Sequence, residues 1–168
     1  MKNINCFLFL IIVIIATSCV SNEECQKERS VNLEIGFFEK KLNPLTNTYT
    51  FPAISIDSLT VRGITSDGKL IDSILYNNSK KISEVNLPLN KLDVQSKYKV
   101  TFNKTVDTIT VIHTSTTNQF LSLECGCIKT FSIDTVLTTN HFIDSVKIDN
   151  HTVNTLKLSN AQHIRIFN

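Results

Sequence analysis

Glycine and proline are scarce in this sequence, with four and three in 168 residues. Ser, Thr and Asn are abundant instead, which suits strands with polar outer faces better than helices. An excess of charge of either sign is missing too. Seventeen Lys and Arg against fifteen Asp and Glu leave a net +2, and without a concentrated basic face there is no case for a nucleic-acid partner. No apolar run approaches the roughly 20 residues of a membrane-spanning helix; the run from Cys6 to Ala16 has eleven. No stretch carries a helical stripe of three turns, and a single turn over Leu89 to Ser96 is the most that the pattern offers. A G-x-S-x-G elbow, an H-E-x-x-H helix and a P-loop are absent, as is a Cys-x-x-Cys beside a βαβ pattern. Nothing calls for a cofactor.

What is present starts with an address. Lys2, the eleven-residue apolar run and the small residues Ala16, Thr17 and Ser18 read as a signal-peptide core over residues 1–18. With Cys19 directly following, the arrangement resembles a bacterial lipobox, in which the leader is removed and the cysteine is acylated. That resemblance implies a lipid-anchored protein, with Cys19 as its first residue and 19–30 as a charged tether. Two or more acyl chains give lasting anchorage, each buried CH₂ contributing about 0.8 kcal/mol. Residue 20 is Val rather than the Asp of inner-membrane retention signals, which points to the outer membrane. Ser21-Asn22-Glu23-Glu24 resembles the acidic export signal of Bacteroidota surface lipoproteins and reads equally well as a solvated linker. The face of the membrane stays open between periplasm and cell surface.

From Val31 the pattern has period two. Val31, Leu33, Ile35 and Phe37 alternate, as do Tyr98, Val100 and Phe102, and as does the closing stretch His163-Ile164-Arg165-Ile166-Phe167. Asp67-Gly68 and Asp149-Asn150 stand between apolar runs and signal hairpins. Asn77-Asn78-Ser79 and Asn103-Lys104 mark further turns. Nine or ten short strands at such spacing predict one all-β domain over 31–168, an antiparallel β-sandwich of immunoglobulin-like or related type. A chain with 42% hydrophobic residues and ten Phe has enough for a core, and a domain of about 150 residues buries roughly 68–70% of its unfolded surface without staples.

Three cysteines would remain after Cys6 leaves with the leader and Cys19 takes lipid. Outside the cytoplasm disulfides persist, and Cys25–Cys125 is the pairing expected, with Cys127 as the alternative partner. Closing a loop of about 100 residues is worth roughly 4.7 kcal/mol in the chain-entropy model. The competing reading takes Cys125 and Cys127, with Cys25 and a His, as metal ligands; Cys-x-Cys is a short spacing for a structural zinc site, so no metal is expected. His113, His141, His151 and His163 are scattered, and each is expected to be solvated or locally hydrogen-bonded.

A four-residue beat recurs five times: Ile56-Asp57-Ser58-Leu59, Ile71-Asp72-Ser73-Ile74, Val106-Asp107-Thr108-Ile109, Ile133-Asp134-Thr135-Val136 and Ile143-Asp144-Ser145-Val146. Asp and Ser/Thr side chains cap backbone groups at strand entries and bulges, so the beat reads first as structural. It also resembles the O-glycosylation sequon of Bacteroidota envelope proteins, which implies Ser58, Ser73, Thr108, Thr135 and Ser145 as candidate acceptors. Its five Asp are the only candidates for a carboxylate pair of the kind that hydrolyses glycosides, and no spacing brings two together.

With the leader, Cys25, Asp72-Ser73-Ile74, Leu87-Pro88-Leu89-Asn90, Cys125-Gly126 and the closing strand in view, the chain resembles a family of small Bacteroidota lipoproteins catalogued only as a domain of unknown function. The resemblance implies a β-rich fold and an envelope location, and it carries no functional residues. The function expected is a non-enzymatic binding or structural module tethered to the outer membrane, meeting another envelope protein or a glycan through a sheet edge or loops. An envelope enzyme acting on glycans and a metal-binding lipoprotein using Cys125 and Cys127 are the alternatives.

Overall fold

A computed structural model of the chain describes residues 31–122, 126–155 and 162–168. Among them are twelve strands and no helix: β1 (Asn32–Phe38), β2 (Lys41–Asn43), β3 (Thr48–Thr50), β4 (Leu59–Ile64), β5 (Leu70–Ser79), β6 (Glu84–Pro88), β7 (Gln95–Phe102), β8 (Thr105–Ser122), β9 (Gly126–Thr138), β10 (Ser145–Ile148), β11 (Thr152–Val153) and β12 (Ile164–Phe167). The 89–96 stretch, where one helical turn was the expectation, is bends running into β7.

The strands form a four-stranded sheet ordered β10-β12-β1-β6 and a six-stranded sheet ordered β11-β9-β8-β7-β4-β5, with β2-β3 as a separate hairpin. Alternation decides which residues face inward. In β7 every second residue is buried, Ser96, Tyr98, Val100 and Phe102; in β1 Leu33, Ile35 and Phe37 are buried. The two inner faces meet through Phe37 of β1, edge-on to Phe102 of β7 at 5.6 Å, while Phe142 stacks on the other side of Phe102 at 4.5 Å. Each such buried side chain contributes about 1.5–3 kcal/mol. One continuous core joins both sheets.

Three details depart from the pattern expected. The ladders are antiparallel except one: β1 lies parallel to β12, Ile35 opposite Ile164. Asp149-Asn150 does not close a hairpin. β10 pairs with β12 in the small sheet, while β11 pairs with β9 in the large one, so the chain crosses between sheets at that point. The turn expected at 77–79 lies later, because β5 runs on to Ser79 through a bulged register against β4.

The scarcity of glycine also finds its explanation. Asn47, Asn78, Asn103 and Asn140 take left-handed backbone conformations with φ between 47° and 56°, a region that Asn tolerates because its side chain bonds locally. Asn103 turns β7 into β8, where the sequence places a turn.

Candidate functional site

The sandwich is open along one side. There, β5 is the edge strand of the large sheet, and the 88–92 connection leaving β6 lies across from it. Between them runs a groove of about 620 Å³. Ile71, Ser73 and Leu75, from one face of β5, form one wall; Pro88, Leu89 and Leu92 form the other; Gly63, Ser96 and Tyr98 make the floor. Leu92 is 96% exposed, and Leu70, Ile71, Ile74 and Leu75 are exposed as well. Grooves of this size, apolar with a few polar groups, are where small ligands bind.

The 88–92 wall is fastened from below. Tyr98 donates its hydroxyl to the Pro88 carbonyl. Ser96 Oγ accepts the Asn90 N–H at 2.7 Å, and Asn90 Oδ1 accepts the Leu92 N–H at 3.0 Å. Lys129 Nζ donates to the Lys91 carbonyl at 3.0 Å. Burial pushes the Tyr98 hydroxyl up to about 12, against a smaller pull from Ser96, so it remains a proton donor. The floor depends on Gly63. A Cβ there would stand 2.7 Å from Ile71 Cδ1, the end of a side chain in the wall. Lys91 and Lys97 also line the groove, and neither has a carboxylate within ion-pair distance among the described residues.

Behind the floor, His113 Nε2 lies 2.8 Å from Ser96 Oγ. The contact has the reach of a nucleophile and base, but Ser96 also holds the Asn90 N–H, and no group bonds His113 Nδ1. His113 is fully buried, edge-on to Phe131 at 5.2 Å. Burial lowers its pKa, with Asp134 and Asp93 pulling the other way. The pair is best read as a polar contact that fixes the wall. His163 is buried too, its Nδ1 accepting the Glu34 N–H at 3.0 Å. Burial lowers its pKa, with a weaker upward pull from the Thr152 backbone. Both histidines correct the expectation of solvated or locally bonded side chains, since their partners lie 17 and 129 residues away. His151 is exposed, and its Nδ1 lies 2.5 Å from the carbonyl oxygen of Ile133, 18 residues away.

The five copies of the beat have different fates. Asp107 is wholly buried and acts as a clamp. Its Oδ1 accepts from Thr139 Oγ1 at 2.7 Å, from the His141 N–H at 2.8 Å and from His141 Nδ1 at 3.0 Å; its Oδ2 accepts the Phe142 and Ile143 N–H groups at 2.7 and 3.1 Å. Burial alone would raise its pKa, but these hydrogen bonds outweigh it and hold the carboxyl well below the usual range. Asp57 and Asp144 stand just before β4 and β10, the strand entries expected, while Asp72 and Asp134 project from within strands into solvent. Among the acceptors, Ser73, Thr135 and Ser145 are exposed, and Ser58 and Thr108 are half-buried. Ser58 is also bonded to Asn78.

Cys127 is an exposed free thiol on β9, opposite Phe120 of β8. Cys19, Cys25 and Cys125 lie outside the described residues, and so do the stretches expected to be leader and tether. Among the described residues no three His, Cys, Asp or Glu side chains gather as a metal site. Sequence reasoning missed the groove altogether. Its nearest signal was the pair of apolar residues flanking each side of Asp72-Ser73, which a two-sided strand would explain.

Residues 58–168 match the model of a family of unknown function, DUF6452. The match spans more than half of the chain, and the chain belongs to that family. No curated protein and no solved structure matches it.

Proposed function

We propose that this DUF6452 protein is an outer-membrane lipoprotein, anchored through Cys19, whose β-sandwich is a binding module rather than an enzyme. The observation that carries the reading is the groove itself: open, apolar and fastened along the 88–92 wall, with no carboxylate or imidazole among its lining residues. The polar groups of its floor, Tyr98 and Ser96, are already engaged in holding the 88–92 wall. The leader and its resemblance to a lipobox support the anchorage. The beat supports a second surface property. Thr135 and Ser145 are the acceptors best placed to carry a glycan, since a sugar on Ser73 would fill the groove. Glycan at those points would make them obligately exposed and hydrophilic.

The test is mass spectrometry of the native protein from fractionated cells after chemical crosslinking in intact envelopes. The expected result is an acylated Cys19 at the N-terminus of an outer-membrane fraction, with a reproducible envelope component crosslinked to the domain. An unacylated protein in the soluble fraction, or an acylated one that captures nothing, would overturn it.

A further inference from the structure

The groove lies at the root of the tether. Asn32, the first residue of β1, is the register partner of Pro88 in β6, and Pro88 lines the groove. The chain therefore enters the domain beside the groove's mouth. Residues 19–30 span at most roughly 40 Å when fully extended, so an acylated Cys19 would keep that mouth close to the lipid surface.

The lining narrows the occupant. An extended peptide would add to the β5 edge through a regular ladder of main-chain bonds, but β5 meets β4 with three register shifts, and bulges of that kind blunt an edge. The Tyr98 hydroxyl and Ser96 Oγ, which a sugar could otherwise use, are taken, and the polar side chains left in the lining, Ser73 and Lys91, stand among aliphatic ones. What the groove offers is aliphatic surface from Ile71, Leu75, Leu89 and Leu92, with Lys91 at its rim unpaired by any described carboxylate.

We infer that the groove takes one acyl chain of an anionic lipid drawn from the membrane that anchors the protein, with its headgroup held by Lys91. This rests on the proposed function, both for the groove as a binding site and for Cys19 as the anchor.

The test uses the full lipidated protein in phosphatidylcholine vesicles containing a minor share of phosphatidylglycerol, with a photoactivatable diazirine in the acyl chain of one lipid or the other. The phosphatidylglycerol probe is expected to label Ile71, Leu75 or Leu92 roughly twofold to fivefold more than the phosphatidylcholine probe, which is what one exposed lysine supplies. Lys91→Glu, at an exposed position, brings the ratio close to one. Leu75→Arg removes labelling of the groove by either probe.

Equal labelling by both lipids, or labelling spread outside the groove, overturns the inference. So does stronger groove labelling of a Cys19→Ser protein, which would mean that the native N-terminal chain fills the groove itself. If the lipid probes fail while an envelope protein or glycan still crosslinks at the groove, the ligand class falls and the binding reading stands. If nothing is captured at all, both fall.

Discussion

Replacing Asp107 by Asn changes one atom and keeps the shape of the side chain, so its cost reports directly on the buried clamp. The carboxylate accepts five hydrogen bonds, three of them from the consecutive backbone N–H groups of His141, Phe142 and Ile143. The carboxamide has only one acceptor atom. Its less costly orientation leaves oxygen toward Phe142 and Ile143 and turns the NH₂ toward Thr139 and His141. The Thr139 hydroxyl and the His141 ring can switch to accepting, but the His141 N–H then faces another donor. An unsatisfied buried donor costs about 1–3 kcal/mol, and the two bonds that remain lose their charge assistance, worth roughly half their strength. We expect a loss of about 2–4 kcal/mol, against a typical total of roughly 5–15 kcal/mol for a domain. Asp107→Ala strands all three N–H groups and is expected to cost about 3–5 kcal/mol.

The assay is urea unfolding followed by far-ultraviolet circular dichroism, repeated across acid pH. Because the Asp107 pKa is depressed in the folded state from its ordinary 3.8, its stabilisation is complete above that value and is lost as pH falls below it. The wild type should therefore have a steep acid limb below about pH 4, and Asp107→Asn should lack that part of it. A variant within about 0.5 kcal/mol of wild type, or one with an unchanged acid limb, would refute the clamp.

Other outcomes follow from the same geometry. Gly63→Ala pushes the end of Ile71 into the groove, so stability should change by less than about 1.5 kcal/mol while capture of groove ligand falls, as titration of the purified variant would measure. His113 and His163 are buried with pKa values lowered from 6.5, so the unfolded chain takes up protons first. Stability should be level above about pH 6.5 and fall below it by up to about 1.4 kcal/mol per pH unit for each histidine, and His163→Gln should remove about half of that slope in urea titrations. Ser145→Ala and Thr135→Ala should each lower the intact mass of the native protein by one glycan, while Thr108→Ala, at a half-buried site, should not.

Much of the sandwich was legible because alternation is a local signal. The inward residues of β1, β7 and β12 are those that period two selects, and Asp67-Gly68 does turn β4 into β5. What depends on distant partners was not legible. The parallel pairing of β1 with β12, the split of β10 and β11 between sheets, and the burial of His113 against Ser96 are each decided by chain that is remote in sequence. The beat shows this most clearly. The same four-residue pattern gives a buried clamp at Asp107, strand entries at Asp57 and Asp144, and solvated strand positions at Asp72 and Asp134. The pattern is constant, and the neighbouring strand decides the outcome. The groove was hidden for the same reason, since β5 and the 88–92 connection face each other only once both sheets have formed.

The central claim is that the groove between β5 and the 88–92 connection is where this protein holds its ligand. A photoreactive amino acid at Leu92, which is almost wholly exposed, tests it in intact cells. A discrete adduct that disappears when Leu75→Arg is added is the predicted result; an adduct that persists unchanged in Leu75→Arg, or no adduct at all, would contradict it.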